Sequence, residues 1–193
     1  MLGRSPRGWL MLYTIGHSTH SSSEFIALLE QARVDLVVDV RSFPRSRTNP
    51  QFNSDTLPTA LRQAGIGYVH LRALGGRRPR AAHSVNTLWR NDAFRNYADY
   101  AMTTPFRAGL EELLALAAQQ VCALMCSEAV WWRCHRRVIT DYVLARDYPV
   151  AHIMGAGKID AATLTPGASP QPDGTVLYAT GGDAAAPEVG SLQ

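Results

Sequence analysis

The chain has 193 residues, 46% of them hydrophobic, which fits one domain with a real core and no second full domain. No apolar run approaches the length of a membrane span and the opening residues lack a signal-peptide core, so the chain reads as cytoplasmic. The formal net charge of +3 hides an uneven distribution: eleven arginines against three aspartates between Arg41 and Arg107 make that segment net +8.

Three cysteines are an odd number, and two lie in one short stretch, which speaks for reduced thiols rather than a disulfide framework. Only Lys158 among the 19 basic residues is a lysine. Clustered arginines suit phosphate or carboxylate recognition, so the expected partner is an anionic small molecule or nucleic acid.

Leu10 to Gly16 reads as a first strand, ending at His17 and Ser18. Ser21 to Glu24 has the spacing of a capping box, and Phe25, Ile26, Leu28 and Leu29 give an amphipathic helix to about Ala32. Leu36 to Val40 is a second buried strand, with Asp39 and Arg41 at its exit. Helical spacing resumes from Asn53 to Ala64 and stops at Gly65. Gly67 to Leu71 is a third strand, followed by an irregular excursion rich in glycine, proline and arginine. A helix carrying Phe94, Tyr97, Ala98 and Met102 comes next, then one opening at Thr104 and Pro105.

Val121 to Met125 is strand four, and the spacing after it predicts a helix from Ser127 to Asp147. Val150 to Met154 is strand five. Residues 1–155 thus form a single α/β domain, a three-layer sandwich with an open, mostly parallel sheet of about five strands and helices on both faces. Residues 156–193 read as a low-complexity, weakly packed tail with one short strand near Gly174 to Ala179.

In such sheets ligands bind outside the carboxyl ends of the strands. Those ends place His17, Ser18, Asp39, Arg41, Cys126 and Glu128 along one edge. Cys126, before a helix N-terminus, is the expected reactive thiol, because backbone donors and the helix dipole lower a thiol's pKa. Glu128 is the expected proton carrier, seven residues from His135 and so on the same helical face. His17 and His135 are the orienting or acid/base candidates; Ser18, Asp39, Arg41, Arg45, Arg47 and Arg136 are the candidates near a bound anion.

Cys134, His135 and Arg136 also read as hydrogen-bonded groups fastening the helix to the loops after strands one and two. Cys126, Cys134 and His135 have the residue types of a metal set. The helical reading turns Cys134 about a third of a turn from the Glu128 face, and no Cys-x-x-Cys pair completes a tetrahedron, so no cofactor is expected. A cysteine phosphatase loop needs five residues between cysteine and arginine, whereas six separate Cys126 from Arg133. The leading expectation is a thiol- and carboxylate-dependent enzyme, a hydrolase or transferase, for a nucleotide, nucleic acid or similar anion. The alternative is a noncatalytic nucleic-acid binding module using the arginine-rich 41–107 surface.

Taken in order, Tyr13-Thr-Ile-Gly-His-Ser18, Leu36-Val-Val-Asp-Val-Arg41 with Pro44, Gly65-Ile-Gly-Tyr68, Leu74-Gly-Gly76, Phe94 with Tyr97-Ala98, Leu124-Met-Cys-x-Glu128 and Cys134-His-Arg136 resemble the family known as domain of unknown function 488. The resemblance runs from about Leu12 to Ile153. It implies a small cytoplasmic α/β domain and prescribes no reaction, substrate or cofactor. Carried over position by position, it singles out Gly16, His17, Ser18, Asp39, Arg41, Pro44, Cys126, Glu128, Cys134, His135 and Arg136. The Asp39-Val-Arg41 exit alone also resembles rhodanese-like sulfurtransferases, without their tight arginine-containing loop.

Overall fold

The computed structural model describes residues 10–180. Strands β1 (Leu12–Gly16), β2 (Leu36–Asp39), β3 (Gly67–His70), β4 (Cys122–Cys126) and β5 (Val150–Gly155) run parallel, and β6 (Lys158–Ala161) joins antiparallel to β5. The order across the sheet is β3-β2-β4-β1-β5-β6. Helices α1 (Ser22–Gln31), α2 (Leu57–Gln63), α3 (Asp92–Ala101), α4 (Thr104–Ala117) and α5 (Arg136–Leu144) supply the crossovers, and β7 (Ser169–Pro170) and β8 (Val176–Leu177) make a small separate hairpin. No helix among the described residues is long and apolar enough to cross a membrane.

Alternating strand residues point to opposite faces, so each strand feeds two cores. Tyr13, Ile15 and Val37 pack with Phe25, Leu29, Leu57 and Leu61 from α1 and α2. Leu12, Val38 and Leu124 pack on the other side with Tyr97, Leu110, Leu113, Val138 and Tyr142 from α3, α4 and α5. This is the expected three-layer α/β sandwich. The predicted capping box is present: the Ser21 hydroxyl accepts from the Glu24 N–H at 3.2 Å and Glu24 accepts from the Ser21 N–H at 2.8 Å.

Two expectations about elements are corrected. The helix after Cys126 does not begin at Ser127; a 3-10 turn spans Trp131–Arg133 and α5 starts only at Arg136. A helix from Ser127 would need the carbonyls of residues 126–128 for its first turn. Here they accept instead from the His17 N–H (2.9 Å), the Ser18 N–H (3.0 Å) and the Arg136 guanidinium.

The expected tail has its short strand, β8, and stays largely exposed, but it is anchored to the domain at particular points. β6 extends the sheet beyond the five predicted strands. Val176 and Tyr178 are fully buried in the helical-face core, Tyr178 donating to Asp141 at 2.7 Å. Residues 181–193 of that expectation lie outside the described residues.

Candidate active site at the strand ends

β1, β4 and β2 are neighbours in the sheet, so their exit loops converge. At the β2 exit Asp39 and Arg41 form a buried ion pair. Arg41 Nη2 and Nε donate to the carboxylate at 2.6 and 2.9 Å, and the Arg41 N–H adds a third bond at 3.0 Å. The Tyr68 hydroxyl donates to the same carboxylate at 2.8 Å, and Arg41 Nη2 also reaches the Phe52 carbonyl at 2.7 Å.

Arg41 Nη1 meets His17 Nε2 at 3.2 Å. An arginine can only donate, so Nε2 is the acceptor and Nδ1 carries the proton, which it donates to the Ser18 carbonyl at 2.9 Å. Stacked on Phe52 at 4.2 Å, this imidazole stays neutral: burial pulls its pKa down to about 4, and the Arg41 charge adds to that. Both ring nitrogens of His17 are thus committed to holding loops together.

At the β4 exit two sulfurs and an imidazole converge. His135 Nε2 donates to the Val40 carbonyl at 2.9 Å, which leaves Nδ1 facing Cys134 Sγ at 3.5 Å and Cys126 Sγ at 3.8 Å. Gly76 lies flat against this ring, where a Cβ would stand 2.5 Å from Nδ1, and Tyr97 packs edge-on at 5.1 Å. Gly16 is equally constrained, since a Cβ there would fall 1.9 Å from the Glu128 carbonyl oxygen.

Arg136 is buried beside the sulfurs with 1% of its surface exposed, and among the described residues no carboxylate pairs with it. Its Nε and backbone N–H donate to Cys134 Sγ at 3.3 and 3.5 Å. A buried guanidinium without a carboxylate favours an anionic neighbour, and Cys134 is the one in reach.

The helix N-terminus expected to activate Cys126 therefore serves Cys134. Burial opposes ionising Cys134, but the hydrogen bond from Cys126 and the Arg136 charge outweigh it and bring the thiol down to about 6. The hydrogen bond to Cys134, with burial, pushes Cys126 up to about 12, which reverses the expectation of a lowered pKa there.

These groups open into a cleft of about 870 Å³. His17, Ser18, Arg41, Arg45, Cys126, Glu128 and His135 line it, as do Cys134, Phe43, Arg77 and Arg133. Glu128 is exposed, two residues beyond Cys126 on an irregular segment rather than on a helical face shared with His135. Arg45 stands at the rim, 3.5 Å from Asp55, while Arg47 is exposed and does not line the cleft. Asp39 and Arg136 lie beneath it.

The expectation that Cys134 points away from the site fails for the reason the helix does. The ligand atoms of Cys126, Cys134 and His135 all lie within 4.8 Å of one another, a group able to hold a metal ion.

Sequence reasoning missed Phe52 and gave Val40, Tyr68 and Gly76 no role beyond their place in the motifs, because their partners lie far away in the chain. Several arginines counted toward the 41–107 surface have internal partners. Arg78 stacks on Tyr100 at 3.6 Å and donates to the carbonyls of Ala73 and Gly75, and Arg95 pairs with Asp92.

No curated protein sequence and no solved structure matches the chain. A family model described as "Domain of unknown function DUF488" matches residues 21–143, from the capping box of α1 to α5, and spans the exits of β2 and β4. With well over half of its length matched, the chain belongs to the DUF488 family.

Proposed function

We propose that the protein is an enzyme acting on an anionic substrate, a nucleotide or another phosphate-bearing molecule, seated in the cleft at the strand ends, in a reducing cytoplasmic compartment. One observation carries the reading: two cysteine sulfurs and the lone pair of an imidazole converge on the floor of a cleft bordered by Arg45, Arg77 and Arg133. Cys126, Cys134 and His135 are the chemistry-bearing group, and Glu128 is the proton carrier at the cleft wall. Exposed Phe43, with Arg77 over its ring at 5.7 Å, offers a flat face to an aromatic base. His17, Asp39 and Arg41 act by fixing the loops, since their polar atoms already serve one another.

The test is a thermal-shift titration of the purified protein with inorganic phosphate and nucleoside mono- and triphosphates, repeated on an Arg77→Ala/Arg133→Ala variant. The expected result is a rise in Tm with at least one phosphate compound that the double variant loses. No shift with any of them, or equal shifts for both proteins, would sink the reading.

A further inference from the structure

Each sulfur on the cleft floor stands from the His135 imidazole at close to the separation of two ligands on one metal ion. Zinc binds thiolate at about 2.3 Å and imidazole at about 2.0–2.1 Å, so a tetrahedral site holds its sulfur and nitrogen ligands roughly 3.5 Å apart. His135 Nδ1 stands 3.5 Å from Cys134 Sγ and 3.8 Å from Cys126 Sγ. All three ligand atoms lie within 4.8 Å of one another.

The surroundings fit as well. A metal-bound histidine usually donates its other ring N–H to a carbonyl or carboxylate, which fixes the tautomer and aims the free lone pair. His135 Nε2 does so to the Val40 carbonyl at 2.9 Å, while Gly76 and Tyr97 hold the ring plane. Arg136 bonds Cys134 Sγ from the protein side, which suits a sulfur that stays deprotonated.

We propose that Cys126 Sγ, Cys134 Sγ and His135 Nδ1 bind a zinc ion, whose fourth position opens into the cleft. Three protein ligands and one open position mark catalytic rather than structural zinc. Soft thiolates with imidazole select zinc over magnesium or calcium. Zinc with two thiolates is neutral, so Arg136 leaves one positive charge, which a hydroxide or an anionic group of the substrate neutralises.

The chemistry follows from that geometry. Zinc lowers the pKa of a bound water so that hydroxide forms near neutral pH, its proton passing to a base. Glu128, which lines the same cleft, is the carboxylate placed to take that proton and return it to the leaving group. The cysteines then act as ligands and the attacking oxygen comes from water, which makes the reaction a hydrolysis. This deepens the cleft reading and rests on it only for the substrate; the metal is tested separately.

The full chain is purified without chelator, its metals are measured by inductively coupled plasma mass spectrometry, and alkylation of each cysteine is followed before and after chelation. The expected result is one zinc per chain, with Cys126 and Cys134 alkylated only after the zinc is stripped. Cys122, at the far end of β4, serves as the control: Cys122→Ser keeps the zinc. Cys134→Ser and His135→Gln each weaken zinc binding on the order of 100-fold or more.

Should those variants fail to fold, cobalt titration of the zinc-stripped wild type decides, with sulfur-to-cobalt charge-transfer bands and intense tetrahedral visible bands expected. A protein that takes up no zinc on dialysis, iron or copper in its place, zinc retained equally by both variants, or cobalt bound without thiolate bands would overturn the assignment. A zinc-free protein that still binds phosphate in the cleft removes the metal and leaves the cleft reading standing; a zinc protein that binds no phosphate does the reverse.

Discussion

Asp39 is fully buried and ionic, and every neighbour that makes this tolerable belongs to another part of the chain except Arg41. Its carboxylate takes bonds from the Arg41 side chain and N–H and from Tyr68. Removing one partner of such a pair leaves an uncompensated buried charge, which costs about 3–5 kcal/mol. Asp39→Asn keeps the shape and removes the charge, so urea unfolding should show a loss of that size; a loss below about 1 kcal/mol would mean the pair is not the anchor described. The Asp-x-Arg spacing was visible in the sequence, as was its place at a strand end. Its meaning was not, because Tyr68, Phe52 and His17 decide whether Arg41 faces a ligand or a carboxylate, and they arrive from three different elements.

At the scale of elements, periodicity found the alternating strands and helices because each buried strand is a run of branched or apolar residues and each helix has one apolar stripe. It failed at both places where a non-local bond overrode a local pattern. Between Ser127 and His135 the spacing is helical, yet the backbone carbonyls are claimed by β1's exit and by Arg136, and the resulting irregular turn is what carries Cys134 back beside Cys126. The residue types of the candidate site were therefore legible, while their convergence was not.

The segment after Gly155 failed differently: its composition is that of a linker, but two aromatic and aliphatic anchors suffice to dock it. Tyr178 is one of these, its ring tilted against Trp89 at 5.1 Å and its hydroxyl bonded to Asp141. Truncating a buried aromatic costs about 3–5 kcal/mol, whereas a residue of a loose tail costs next to nothing. Tyr178→Ala is therefore expected to lower the urea midpoint by several tenths of its value with an unchanged m-value. An unchanged midpoint would return this segment to the status of a tail.

For the whole molecule the sheet is covered on both faces, and this forces two histidines to be buried without charge. His17 sits behind Arg41, and His152 is stacked on Trp131 at 4.2 Å with its Nδ1 bonded to the Thr14 hydroxyl at 2.7 Å. Burial lowers both to about 4, from about 6.5 in an unfolded chain, with Arg41 adding to it for His17 and Arg136 for His152. Between those values the unfolded state binds protons that the folded state refuses, so stability is fully present above about pH 6.5 and falls as the pH drops toward 4. Each histidine contributes a slope of up to about 1 kcal/mol per pH unit in mid-window, reduced by whatever solvent reaches it. Asp141 works in the opposite sense, because burial raises its pKa and the fold takes up that proton before the unfolded chain does. The histidines outnumber it, and Cys134, brought down to about 6 in the fold, adds to the loss as the pH falls toward that value, so a scan of Tm from pH 7 to 4.5 should decline steadily. His152→Gln, which cannot take up a proton, should flatten the part of the decline that lies below about pH 6, where the histidines dominate. A wild-type Tm constant down to about pH 5 would show that both imidazoles take up protons in the folded protein as readily as in the unfolded chain, and would overturn the neutral state assigned to each.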